Sequence, residues 1–417
     1  MNLADMLCYA DIDQLTRIAQ TYDCDCGSHS KNELIQSILS VIHRRESLER
    51  QVEQMSGDDL RFLNSLLFEN RMAYSLEELK ARALGTAAAS LTGRSEPSAE
   101  PVAAAGTPDQ PGKRSAAKSS RSRKKAAESA PEPASPDETA RQTITRFKRN
   151  GWLFNGFSQQ TRYLYQVPDD VKQNLSDALE RKFRLLLEVR EEPPVYRDER
   201  SLMAEDLVVF LRYVRDNDVP LTTDGVLYKR QLGQVLELMA VYEEIPGRAG
   251  WRFGYGRKFR DYPDRFSLLY DYAYYEGLIS ENPDRLIATE EGLNAADGQT
   301  RIDPARLYRF WLRLYKGPIA NLTALVQWVS RLADAWTTTS SLFGILKPFI
   351  RSYYYDQEKD VMDRRVLAMM MHLGLLRWGE TAAGEAVVRM TPQGKAVVSG
   401  LALPFEDTLR LEGKPIR

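Results

Sequence analysis

Cys24, Cys26 and His29 place two thiols and an imidazole within six residues. Side chains of these types bind zinc, and structural zinc takes four tetrahedral ligands. Here the spacing is C-x-C-x-x-H, Cys8 is the only other thiol, and no paired C-x-x-C knuckle is present. The two remaining histidines, His43 and His372, have no ligand-like neighbours. The start of a helix accounts for more of these residues. Leu15, Ile18 and Ala19 form one helical face, 22–27 is a break, and Ser30-Lys31-Asn32-Glu33 has the pattern of a capping box. Leu34, Ile35, Ile38, Leu39, Val41 and Ile42 follow at helical spacing. The stretch therefore predicts helix, turn, helix, and no metal site.

Catalytic patterns are equally sparse. A phosphate-binding P-loop reads GxxxxGK[ST]. Gly112-Lys113 continues with Arg114 and Gly394-Lys395 with Ala396, so neither qualifies. G-x-S-x-G and H-E-x-x-H are missing, and three scattered histidines make a Ser-His-Asp constellation improbable. Gly254-Tyr255-Gly256-Arg257-Lys258 reads as a turn. We expect no enzyme and no cofactor. With 43% apolar and 28% charged residues the chain has a soluble globular profile. No apolar run is long enough to span a bilayer, and MNLADMLCYADIDQL lacks the basic and apolar regions of a signal peptide. Three cysteines without an export signal predict a reducing cytoplasm, with association to the nucleoid left open. The net charge is −1, so nucleic-acid affinity would have to come from local patches.

One such patch lies in 86–136, a segment of Ala, Ser, Pro, Gly and charge with no aromatic residue. It cannot bury enough apolar surface to offset its ordering entropy, so it is expected to be disordered. Lys113, Arg114, Lys118, Arg121, Arg123, Lys124 and Lys125 form a block free of acidic residues. Such a block suits phosphate backbones, and a merely solvated linker is the competing reading. Before the segment, Ser56-Gly57-Asp58-Asp59 starts a helix carrying Leu60, Leu63, Leu66 and Leu67, and Ser75-Leu76-Glu77-Glu78 opens another over Leu76–Leu84. After it, Ala140, Ile144 and Phe147 make a buried stripe that ends at Asn150-Gly151, with Arg141, Arg146, Lys148 and Arg149 off the stripe. Trp152-Leu153-Phe154 and Tyr163-Leu164-Tyr165 then flank a turn-rich hairpin. Three helices followed by a two-stranded hairpin is the order of a winged helix. The segment 86–136 would then be an insertion between its second and third helices; the competing reading ends one domain at 85 and starts another at 138.

The pattern recurs as Gly277-Leu278-Ile279…Thr289-Glu290-Glu291-Gly292 and Gly374-Leu375-Leu376…Thr391-Pro392-Gln393-Gly394. The expected fold class is mainly α with small β-hairpins (α+β), built as tandem winged-helix-like modules with a disordered insertion. The expected division is a SAP-like helical segment over 1–54, then modules over 55–172, 173–300 and 301–417. The aromatic run Tyr262–Tyr275, Tyr353-Tyr354-Tyr355 and Met369-Met370-Met371 read as core.

The order of these motifs, from the SAP-like start through N-G-W-L-F, P-L-T-T-D-G-V-L-Y-K-R-Q-L and Y-Y-E-G-L-I-S, resembles bacterial proteins that carry the non-catalytic, helicase-associated region N-terminal to XPB-type helicases, without the motor domains. The resemblance implies a helical and winged-helix scaffold with a nucleic-acid-related role. In a winged helix the third helix enters the major groove and the wing meets the backbone. The candidates in the first module are Arg141, Thr145, Lys148 and Arg149, with Gln159, Gln160 and Arg162 on the wing. Arg364, Arg365 and Arg389 hold similar places in the third. Arg257, Lys258, Arg260 and Arg265 stand just ahead of the third helix of the second. The expected function is non-enzymatic binding of DNA, most simply duplex. The alternative is a protein-interaction scaffold in a nucleic-acid-processing complex, with a helicase or another protein as partner and no membrane.

Overall fold

Apolar residues at three- and four-residue spacing run through most of the chain, and in the computed structural model they fold as helices. The structure describes residues 1–24, 30–69, 71–91, 136–247, 255–319 and 321–400. The chain is mainly helical with small antiparallel sheets. Asp25, Cys26, Gly27, Ser28 and His29 lie outside the described residues, as does the basic block Lys113–Lys125. Cys24 is half-buried against the core.

Four helices come first: α1 (Leu3–Tyr9), α2 (Ile12–Thr21), α3 (Lys31–Ile42) and α4 (Arg45–Glu53). Ser30 is the N-cap of α3 as expected, but its hydroxyl makes no capping bond. A first unit follows: α5 (Gly57–Leu67), β1 (Tyr74–Ser75), α6 (Leu76–Leu91), α7 (Pro136–Arg149), β2 (Phe154–Asn155) and β3 (Leu164–Gln166). Here the capping box forms in full, between Ser56 and Asp59. α6 runs on to Leu91 where an end at Leu84 was expected, so residues 86–91 of the segment expected to be disordered are helical. Ala87-Ala88-Ala89 is the reason, alanine being the strongest helix former.

The linking helix α8 (Asp169–Arg184) and the short strand β4 (Val195–Arg197) precede a second unit: α9 (Leu202–Asp216), β5 (Val219–Pro220), α10 (Lys229–Leu238), α11 (Asp264–Tyr275), β6 (Ile279–Glu281) and β7 (Arg285–Ala288), closed by α12 (Glu290–Ala296). α13 (Pro304–Tyr315) leads to a third: α14 (Leu322–Leu332), β8 (Thr337–Thr338), α15 (Thr339–Leu346), α16 (Glu358–Asp360) continuing through a π-helical stretch over Val361–Leu367 into α17 (Ala368–His372), then β9 (Leu376–Glu380), β10 (Ala386–Met390) and α18 (Pro392–Gly400).

Each unit repeats helix, strand, helix, helix, strand, strand. Each places its last strand between the other two: β1-β3-β2, β5-β7-β6 and β8-β10-β9, with β4 added outside β9. The third helix ends identically each time. Gly151, Gly277 and Gly374 have φ of +67°, +69° and +71°, where a side chain is strained. Their amides bond back three residues, and the next amide bonds back five: Trp152 to Phe147 O at 3.0 Å, Leu278 to Ala273 O at 2.8 Å, Leu375 to Met370 O at 2.8 Å. This arrangement satisfies the open carbonyls of a helix end and turns the chain into the hairpin.

In the second and third units the T-x-x-G motif closes the other end of the hairpin. Thr289 Oγ1 accepts from Gly292 N at 3.1 Å and Thr391 Oγ1 from Gly394 N at 2.8 Å. The glycines are needed for contact. A Cβ on Gly292 or Gly394 would fall 2.0 Å from the carbonyl oxygen of Leu278 or Leu375.

The chain on either side of 92–135 meets in one sheet, Tyr74 opposite Tyr165 and Ser75 opposite Leu164. Around it, Phe62 meets Phe147 edge-on at 4.8 Å, and Arg146 pairs with Asp59 at 2.6 Å. The apolar interior is continuous through all three units. Trp328 of α14 packs on Phe68 and Phe183 and donates to Asn64 Oδ1 at 2.6 Å.

Candidate nucleic-acid interface

α7 is amphipathic because Ala140, Thr143, Ile144 and Phe147 are its buried positions. That leaves Arg141, Thr145 and Arg149 exposed and Lys148 half-buried. Arg141 is tied to Asp137 at 2.8 Å, and the Thr145 hydroxyl donates to Arg141 O. Lys148 donates to Asn155 Oδ1 at 2.9 Å and lies over the Tyr165 ring. Burial holds its ammonium below the usual lysine range; Asp11 opposes that shift and Arg17 adds to it.

The β2–β3 turn presents Gln159, Gln160 and Arg162 to solvent. Gly156 N bonds Leu164 O at 2.9 Å, and Ser158 and Thr161 share their hydroxyls, which fixes the turn. Arg162 stacks over the Tyr163 ring at 4.5 Å.

Thr145, Lys148, Arg149 and Arg162 come together on a cleft of about 570 Å³ between α7, the hairpin and α1–α2. Arg141 and Gln160 do not line it. The opposite wall supplies residues that helical and strand patterns had not singled out: Tyr9, Asp11, Gln14 and Arg17, with Phe157 from the hairpin. Tyr9 and Phe157, 64% and 47% exposed, stack at 4.4 Å with their planes 16° apart. Nothing in the spacing of either segment pointed to this pair, because the fold alone brings the two rings together.

The third helices of the other units are placed differently. Arg365, expected at a groove, is only 4% exposed and is held by Asp356 at 2.8 Å and Asp264 at 3.1 Å. It cannot meet a phosphate without abandoning two carboxylates; these hold it inward, over the Tyr255 ring, from the π-helical stretch. Its neighbour Arg364 is exposed, and Arg389 is half-buried with Nε 3.3 Å from Asp334 O.

Arg265 is fully buried, its Nη2 2.6 Å from Asp206 and its Nε 3.5 Å from Glu199. Glu199 also takes His372 Nδ1 at 2.9 Å and Arg197 at 2.6 Å. Glu243 accepts the Arg265 and Phe266 amides, and burial raises its carboxyl above the ordinary range. Arg257 pairs with both Glu281 oxygens, at 3.0 and 2.9 Å, and covers the Tyr274 ring at 3.6 Å. Lys258 donates to Asp224 O, and Arg260 is exposed beside Phe259. Burial likewise lifts Asp271 to about 6, against the Arg257 amide it accepts.

Among the described residues no three His, Cys, Asp or Glu side chains are grouped to hold a metal ion, and no helix is long and apolar enough to cross a membrane. No family model, curated protein or solved structure matches the chain, and its function has to be read from these residues.

Proposed function

We propose that the chain is a non-enzymatic DNA-binding protein of the helicase-associated type, built from three winged-helix-like units, and that it meets duplex DNA through the first of them. The repeated order of elements, with the last strand between the other two, supports the winged-helix reading. The observation that carries the DNA reading is the outer surface of α7 and its hairpin. Among the described residues Lys148, Arg149 and Arg162 have no ion-pair partner, while Arg61, Arg71, Arg82 and Arg146 of the same unit are all paired. Uncommitted cations on a third helix and its wing are what phosphate contact requires. The basic block Lys113–Lys125 lies in the sequence between α6 and α7 of this unit and adds to its positive charge in this reading.

A salt titration of duplex binding tests the proposal. Each neutralised phosphate contributes a slope of about −0.9 in log K against log salt. Replacing Lys148, Arg149 and Arg162 together with Ala should flatten the slope by about 2 to 3 and weaken all duplex sequences alike. Absence of duplex binding at low salt removes the proposal.

The scaffold reading has its own observation. Leu185, Leu186, Val189 and Val195 are 86%, 61%, 55% and 71% exposed between α8 and the outer strand β4. An apolar stretch beside an edge strand suits a protein partner. It becomes the working function if duplex binding fails.

A further inference from the structure

We propose that the cleft between α1–α2, α7 and the hairpin holds one unpaired nucleotide of a single-stranded DNA segment, its base against the Tyr9–Phe157 pair and its phosphates met by Arg17, Lys148, Arg149 and Arg162. The inference rests on the DNA reading above and adds to it a preference for duplexes that carry a single-stranded end.

Shape comes first. The cleft measures about 570 Å³ and is walled on two sides by helices. That is the size of a small-ligand site, roughly 300–1,000 Å³. A base with its sugar and phosphate fits inside such a space, whereas a double helix, with a major groove itself about 12 Å wide, can only lie across its rim.

The aromatic pair comes second. Tyr9 ends α1 and Phe157 sits in the β2–β3 turn, 148 positions away in sequence. They stack on each other at 4.4 Å and still leave most of Tyr9 in water. A core would have covered these rings. An open, nearly parallel pair instead offers a flat π surface, and every base has a face to lay on it.

Charge comes third. Among the described residues none of Arg17, Lys148, Arg149 and Arg162 has an ion-pair partner, yet they come from α2, α7 and the hairpin and converge on one cleft. Lys148 is half-buried, and Asp11 only partly offsets its desolvation, so an anion beside it would add favourable counter-charge. Asp11 and Asp13 line the same cleft. Asp11 is committed to capping α2, accepting Gln14 N at 2.6 Å. Two carboxylates repel a long phosphate track, which limits occupancy to a nucleotide or so, and a carboxylate can accept from an exocyclic base amine.

The test uses the full chain at fixed low salt with three dye-labelled DNAs: a blunt duplex, the same duplex with a short single-stranded overhang, and the overhang strand alone. A 2-aminopurine placed in the overhang reports stacking directly. Base–aromatic stacking predicts that the overhang duplex binds about 5- to 150-fold more tightly than the blunt one, with 2-aminopurine emission quenched. Tyr9→Leu with Phe157→Leu keeps apolar bulk at both positions and should bring the affinity ratio to about one and restore the emission. Tyr9→Phe with Phe157→Tyr should retain both effects. Thermal melts of both double variants verify that they fold. Equal binding of blunt and overhang duplexes overturns the cleft proposal and leaves the duplex reading standing. Binding of neither overturns both.

Discussion

The first and second units share an order of elements, a sheet order and a glycine-ended third helix, yet those third helices meet opposite fates. α7 shows water Arg141, Thr145, Arg146 and Arg149. In α11 every residue from Arg265 to Ala273 is buried. The cause is composition around the helix circumference. PDETARQTITRFKR has one apolar stripe, whereas DRFSLLYDYAYY has aromatic or aliphatic groups on every side. A helix apolar all round must be covered. Tyr272 meets Phe310 of α13, and Phe266 and Tyr270 meet Phe210 of α9. The backbone motif that makes a hairpin after a helix is therefore independent of whether that helix is available to a ligand. The same backbone motif ends a helix three times; α7 keeps a polar outer face where α11 does not.

The sharpest way to break this contrast is to exchange an arginine on each helix for methionine. Arg265 neutralises Asp206 and shares Glu199 inside the protein. Removing one member of a buried ion pair leaves an uncompensated charge and costs about 3–5 kcal/mol. Arg265→Met should lower the free energy of unfolding by that amount, read as a lower urea midpoint with the slope of the transition unchanged. Arg149→Met, on the open helix, should shift it little. Equal destabilisation by the two would mean that α7 is a structural strut like α11, and the functional asymmetry between the units would be lost.

Much of the contrast was legible before the fold. The stripe Ala140, Ile144, Phe147 gave the buried side of α7, and its polar remainder gave the exposed one. The G-L-[IL]…T-x-x-G repeat located two hairpins and their caps because it is local chemistry: a left-handed glycine, a threonine hydroxyl, and a glycine where a side chain would collide. Three things were not legible, for one reason. Arg365 and Arg265 looked like surface cations, and only the carboxylates of Asp356, Asp264, Asp206 and Glu199, distant in sequence or on other elements, draw them inward. The aromatic partner of Phe157 is Tyr9, from the first helix of the chain. The short strands β1, β5 and β8 have two residues each and carry no pattern of their own. Periodicity reads what a segment does alone, and these features exist only where segments meet.

A titration sharpens the comparison from the buried side. Asp271, in the enclosed helix, has its carboxyl raised by burial from 3.8 to about 6. A folded-state value above the unfolded one means that the folded protein binds more protons between the two. The stabilising contribution is thus complete below about pH 4 and is lost as pH rises through about 6, a change of roughly 3 kcal/mol. Glu243 is shifted in the same direction. Asp271→Asn should remove the Asp271 share. Plotted against pH, the stability of the variant relative to wild type should climb between pH 4 and 6 and then level. A flat difference would show that Asp271 is solvated and that α11 is less enclosed than its packing implies.

The smallest effect separates the second and third units from each other. Thr289 and Thr391 make the same pair of bonds, donating to Gly277 O at 2.6 Å and Gly374 O at 3.0 Å and accepting from the glycine three residues on. Their surroundings differ: Thr391 is 3% exposed, while Thr289 is half in water. Removing an N-cap hydroxyl costs about 1 kcal/mol in either place. At Thr391 it also strips a partner from a buried carbonyl that water cannot reach, which adds about 1 kcal/mol. Thr391→Ala should therefore cost about 2 kcal/mol and Thr289→Ala about 1, in the same urea experiment. The first unit has no such residue, since Pro168 occupies the cap of α8 without a side-chain bond. If the two substitutions cost the same, the sequence motif alone sets the strength of the cap. If they differ as expected, the same four residues close the hairpin in both units and the depth of burial sets how much the closure is worth.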